Sequence, residues 1–123
     1  MTPDRLDHLV LEVKDVERSL TFYCDVLGLK AERLTEFREG HAPFVSLRVG
    51  QSLIDLFPSE SPIDGPNHFC LAFQDPIETI LDTLRQGGLS PTTPDRRFGA
   101  EGMGLSVYVD DPDGHTVEIR TYG

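Results

Sequence analysis

Tryptophan is absent from this chain, which carries two cysteines, two methionines and 11 lysines plus arginines against 21 acidic residues. Two cysteines, Cys24 and Cys70, make no disulfide framework, so packing must hold the fold and a reducing cytoplasm is the expected compartment. The shortage of cations leaves a formal net charge of −10. That excludes an ordinary nucleic-acid partner, because phosphate binding needs clustered cations that release counterions. Long apolar runs are missing too: none approaches the roughly 20 residues of a membrane span. The start, Met1-Thr-Pro-Asp-Arg, lacks the apolar core of a secretion signal, so neither membrane insertion nor export is expected. What is present suits one soluble globular domain over residues 1–123, with 26% charged and 38% hydrophobic residues.

The chain repeats itself. Shifted by 60 residues, Asp7-His-Leu-Val-Leu-Glu-Val-Lys-Asp15 lies over Asn67-His-Phe-Cys-Leu-Ala-Phe-Gln-Asp75. His8 then falls on His68, Gly28 on Gly88, and Val45–Val49 on Leu105–Val109, with Ser46 on Ser106. The shift grows to 63 after the longer turn Asp110-Asp-Pro-Asp-Gly-His115, which sets Asp55 on Glu118. An internal duplication accounts for this, with one module at about 4–57 and the other at about 65–122.

Each half reads as a strand, a helix and three shorter strands, the last two forming a hairpin. The strand at 6–13 or 67–73 alternates with period two. The helix is expected to open at Asp15 or Asp75 as N-cap and to close near Gly28 or Gly88. Leu20, Tyr23, Cys24 and Leu27 stripe the first helix; Ile77, Ile80, Leu81 and Leu84 stripe the second. Asp111-Pro-Asp-Gly114 is a turn, and the proline-rich stretch 58–66 reads as the linker. The segment from Thr92 to Gly104 reads as a long hairpin connection, with a lid as the other reading.

Alternation sorts the strand residues onto two faces. Leu9, Leu11 and Val13, Val45, Leu47 and Val49, and their counterparts in the second half, make an apolar face for the helices. The other face carries His8, Asp55, His68 and Glu118, at equivalent points of the two repeats. One strand histidine is usually structural, and one carboxylate is usually solvated or paired, here with Arg48 or Arg120. Together they are different: burial of unpaired charge costs several kcal/mol, on the order of the whole folding free energy, and a divalent cation removes that cost. Two imidazoles and two carboxylates form a mixed nitrogen–oxygen metal site, with Asp55 short enough to reach the metal through water. Arg48, Ser106, Tyr108 and Arg120 share this face and are candidates to bind an oxygenated substrate. His41 and His115 read as loop residues, and Cys24 and Cys70 as packing. No phosphate loop, nucleophile elbow or Cys-x-x-Cys is present.

Leu6-Asp-His-Leu-Val10, Phe22-Tyr-Cys-Asp-Val-Leu-Gly28 and Asp111-Pro-Asp-Gly-His-Thr-Val-Glu118 resemble the recurring motifs of the vicinal-oxygen-chelate superfamily. That superfamily includes glyoxalase I, fosfomycin-resistance transferases, bleomycin-binding proteins, methylmalonyl-CoA epimerase and extradiol dioxygenases. The resemblance covers nearly the whole chain. It implies an α+β fold of two βαβββ modules forming a curved mixed sheet around a metal cleft, and usually a homodimer. It further implies one divalent transition metal (nickel, cobalt, manganese, iron or zinc) on residues matching His8, His68 and Glu118. Asp55 matches a further glutamate of glyoxalase-like members.

Departures narrow the reaction. Bacterial glyoxalase I has an arginine for glutathione where this chain has Glu12. Fosfomycin transferases have Ser106 and Tyr108 equivalents, but a threonine in place of Val10 and a lysine near Phe98. Extradiol enzymes are typically about twice as long. The leading expectation is a metal-dependent lyase or isomerase acting on a small substrate through two neighbouring oxygens, with Glu118 or Asp55 as base. The alternatives are a metal-independent drug- or metabolite-binding protein, whose cationic ligand the −10 charge would suit, and an iron-dependent dioxygenase.

Overall fold

The computed structural model describes residue 2 and residues 5–123. It divides into a first unit that ends at Gly65 and a second, Pro66–Gly123. The first contains β1 (His8–Val13), α1 (Val16–Leu20), β2 (Lys30–Glu32), α2 (Leu34–Arg38), β3 (Val45–Val49) and β4 (Ser52–Pro58). The second contains β5 (Phe69–Phe73), α3 (Ile77–Gln86), β6 (Asp95–Gly99), β7 (Gly102–Asp110) and β8 (Thr116–Thr121). Each unit builds one four-stranded sheet, in the order β1-β4-β3-β2 or β5-β8-β7-β6. The first strand of each unit runs parallel to the last, and the other pairings are antiparallel. These are the two βαβββ modules of an α+β fold that the sequence repeat leads one to expect.

The cores follow the alternation. In the first unit Leu11, Val13, Val45, Leu47, Ile54 and Leu56 are buried, together with Leu20 and Tyr23 from the helical segment. In the second unit Leu71, Val107, Val109, Val117 and Ile119 are buried, with Ile80 and Leu84 of α3. At ~25 cal/mol per Å² of apolar surface, these side chains supply the main driving force for folding.

Helix ends show where the repeat holds and where it fails. The Asp15 side chain accepts a hydrogen bond from the Arg18 amide at 3.2 Å, as an N-cap should. Asp75 does not cap α3. Pro76 occupies the N-cap with extended backbone and no side-chain bond, which leaves Asp75 one residue too early to reach the first-turn amides. After α1 the chain widens into a π-helical turn, Thr21–Val26. Both helical segments then reach a glycine with positive φ, Gly28 at 84° and Gly88 at 81°, a conformation other side chains rarely adopt.

The connection from Thr92 to Gly104 differs from expectation. It contains β6, which pairs antiparallel with β7 from Asp95↔Ser106 to Gly99↔Gly102. Its sequence, DRRFG, lies exposed at a sheet edge except at Gly99, so it shows no apolar alternation to read. The short helix α2 escapes the sequence for a similar reason, because none of its five residues is buried.

Candidate metal and substrate site

The duplicated histidines open β1 and immediately precede β5, and each is oriented by its preceding neighbour. His8 Nδ1 lies 2.8 Å from Asp7 Oδ2, and His68 Nδ1 lies 2.7 Å from Asn67 Oδ1. Each contact fixes the ring's orientation through Nδ1 and leaves Nε2 as the other ring atom to face the site. The Asp7 hydrogen bond raises the pKa of His8 and lowers that of Asp7. Imidazoles that bind metals are commonly held in this way through the other ring nitrogen. Asp7 and Asn67 were legible as an aligned pair in the repeat, but neither has the alternation signal that singles out a site residue.

The carboxylates are duplicated with a structural twist. In the first unit Asp55 on β4 stands directly across from Ser46 on β3, and Ser46 Oγ donates to Asp55 Oδ1 at 2.6 Å. In the second unit Glu118 on β8 stands across from Tyr108 on β7, while Ser106 stands across from Arg120. The register has slipped by two residues, which keeps every side chain on its face. Ser106 Oγ still donates to Glu118 Oε2, at 2.7 Å, but along a diagonal. Diagonal neighbours are farther apart than direct ones, and the additional methylene of glutamate spans the difference.

Glu118 is the most heavily engaged group of the site. Tyr108 Oη donates to Oε1 at 3.1 Å, and Arg120 Nε lies 3.3 Å from Oε2. Burial pushes the carboxyl pKa up, but the hydrogen bonds from Ser106 and Tyr108 and the Arg120 charge outweigh it and hold Glu118 below its usual range. The same carboxylate, with burial leading, lifts the Cys70 thiol to about 12, so Cys70 stays protonated and offers no thiolate. His68 Nε2 lies 3.3 Å from Glu118 Oε1.

The predicted substrate residues have defined places. Arg120, 3% exposed, donates to Ser106 Oγ, Tyr122 Oη and the Arg97 carbonyl. Arg48 forms a two-point pair with Glu32 of β2 at 2.7 and 3.0 Å. Thus His68, Glu118, Ser106, Tyr108 and Arg120 form one connected cluster in the second unit. His8 and Asp55 line one cavity of about 460 Å³ in the first. Among the described residues, no three His, Cys, Asp or Glu side chains are gathered closely enough to hold a metal ion; each unit offers an imidazole and a carboxylate. Those donor types fit a first-row divalent metal. His41 pairs with Glu39 at 3.6 Å, and His115 is buried in the β7–β8 turn, where Asp111 Oδ1 accepts its amide hydrogen bond.

Along nearly its whole length the chain is similar to known proteins. The chain is 33% identical to a virulence protein of Salmonella typhimurium, over 99% of this chain and 87% of that one. It is 29% identical to the lactoylglutathione lyase of the same organism, over 94% of this chain and 90% of that one. The structure of an integron cassette protein from the mobile metagenome of Vibrio cholerae superposes with a TM-score of 0.84 at 29% identity, covering 100% of this chain and 98% of that one. No helix among the described residues is long and apolar enough to cross a membrane. The family model for the glyoxalase/bleomycin resistance protein/dioxygenase superfamily matches residues 5–119, and the chain belongs to that superfamily.

Proposed function

We propose that this chain is a glyoxalase-like lyase or isomerase, dependent on one divalent transition metal and acting on a small substrate with two neighbouring oxygens. His8, Asp55, His68 and Glu118 are its metal donors. The observation that carries the reading is the pair His68 Nε2 and Glu118 Oε1, 3.3 Å apart. Asn67 orients the ring through Nδ1, and the Ser106 and Tyr108 hydrogen bonds with the Arg120 charge hold Glu118 below its usual range, so an imidazole nitrogen and a carboxylate oxygen stand side by side. Both are donor types that a first-row divalent cation takes. The relatives named lactoylglutathione lyase and methylmalonyl-CoA epimerase support the reaction class.

When bound, the metal supplies Lewis-acid polarisation of a substrate carbonyl. The chain's own residues divide the remaining work. Glu118, with both oxygens engaged by Ser106, Tyr108 and Arg120, is a weak base and serves as an anchor. Among the described residues, Asp55 accepts one side-chain hydrogen bond, on Oδ1. Its Oδ2 takes the proton from the carbon next to the carbonyl. Arg120 acts through Glu118 and is a positioning residue. The two cysteines are free thiols, in keeping with a cytoplasmic protein, and a homodimer is the expected assembly.

The decisive experiment is elemental analysis of the purified chain beside His8→Ala, His68→Ala and Glu118→Gln. About one transition metal per chain, lost in the variants, is expected. Asp55→Asn should keep most of the metal while turnover of a panel of hydroxycarbonyl substrates falls by roughly 10²–10⁴-fold, the usual contribution of a general base. Turnover at the wild-type rate would remove Asp55 from that role. Oxygen uptake with catechols by the iron-loaded chain would identify a dioxygenase instead. A chain that takes up no metal after reloading is a binding protein.

A further inference from the structure

The cavity beside His8 and Asp55 contains a cation that this reading leaves unused. Arg33 precedes α2 with φ 62° and ψ 27°, the left-handed conformation usually left to glycine or asparagine. It is the one described residue other than glycine with positive φ. Its guanidinium lies over the Phe44 ring, 4.5 Å from the centroid. Phe44 in turn stacks on Phe57 at 4.4 Å with 19° between the planes. Arg33 and Phe44 line the same cavity as His8 and Asp55.

The charged groups of this cavity differ in their hydrogen-bond partners. Each of its carboxylates has a hydrogen-bond partner: Asp7 has His8, Glu32 has Arg48, and Asp55 has the neutral Ser46 hydroxyl. Arg33 forms no ion pair with a carboxylate among the described residues; its partner is the face of Phe44. A guanidinium over a ring face spends none of its N–H groups on a conventional acceptor there, and its fork of donors matches a two-oxygen anion. In a chain of net charge −10, an anion entering this cavity needs such a cation.

We propose that Arg33, seated on Phe44, is the specificity residue that takes a carboxylate of the substrate separate from its metal-chelating oxygens. The substrate class is then a small acid carrying the chelating oxygens at one end and a second carboxylate at the other. This deepens the function proposed above and rests on His8 and Asp55 being at the reacting end.

The test titrates the full chain calorimetrically with cobalt alone, then with malate and with lactate. These acids share the hydroxy-acid chelating group and differ in the distal carboxylate. Malate should bind at least about tenfold more tightly than lactate, as a charge-assisted pair would give. Arg33→Gly, which suits the left-handed backbone, and Arg33→Met should both bring the two acids to equal affinity, while Arg33→Lys keeps part of the preference. Circular dichroism melting confirms that each variant is folded. Equal or absent binding of the two acids by the wild-type chain, or an unchanged preference in Arg33→Gly, would overturn the assignment. Failure of cobalt to bind speaks instead against the metal reading. In that case the comparison is made on the metal-free chain, where Arg33 still predicts a preference for malate.

Discussion

Glu118 shows how a single residue is made into a fixed anion. Its folded-state pKa lies below its ordinary value, so the unfolded chain binds the proton more readily and stability rises with pH through this range. The contribution is present above the unfolded value, ~4.3, and is lost as pH falls through the lower folded value. The urea midpoint of the metal-free chain should therefore drop on acidification below about pH 4–5, with a shallower drop in Glu118→Gln. That variant should also be less stable at neutral pH, because Arg120 loses its buried counter-charge. Gly99 is bound to the same cluster. A Cβ there would collide with the Arg120 guanidinium and the Tyr122 hydroxyl. Arg120 is not free to swing aside, since Ser106, Tyr122 and the Arg97 carbonyl hold it. Gly99→Ala should cost about 1–3 kcal/mol, the usual range for overpacking, and chemical denaturation measures it.

At the scale of elements, the two modules use one plan with different fittings. Asp15 caps α1 through its side chain, whereas α3 has Pro76 at its N-cap with no side-chain bond. Asp15→Ala should destabilise the chain by ~1 kcal/mol. Asp75→Ala should change it by no more than about 0.5 kcal/mol, as for an ordinary surface site. Equal effects in thermal melts would contradict this asymmetry. The strand hairpins diverge in the same manner. The longer β7–β8 turn moves the cross-strand register by two residues, so Tyr108 replaces serine as the direct neighbour of the carboxylate. The first unit thereby keeps a lightly bonded aspartate and the second a heavily bonded glutamate, which is the physical basis for assigning them different chemistry.

For the whole molecule, metal binding and stability are linked. A ligand that binds only the folded chain stabilises it by RT ln(1 + [L]/Kd), roughly 2.7 kcal/mol at a hundredfold excess over Kd. Cobalt or nickel should raise the melting temperature of the wild-type chain and leave that of a His8→Ala, His68→Ala double variant unchanged. An equal rise in both would place the metal elsewhere. Sedimentation of the purified chain checks the expected homodimer.

The sequence by itself determined a great deal here, because duplication and period-two alternation are local and repeat. They were sufficient for the two βαβββ modules, the apolar faces, and the equivalence of His8 with His68 and of Asp55 with Glu118. Exposed elements such as β6 and α2 were hidden, since without a buried side there is no apolar period to detect. Only the tertiary structure decided which neighbours set the behaviour of each group. Whether Ser106 reaches Glu118 directly or diagonally depends on strand register. The engagement of Arg120 depends on a carbonyl 23 positions away, that of Arg97, and the position of Arg33 on Phe44 depends on a left-handed backbone. Residue type and spacing specify the chemistry that is available. Cross-strand register and side-chain packing determine which groups meet, and those contacts set the charge state and accessibility of each group.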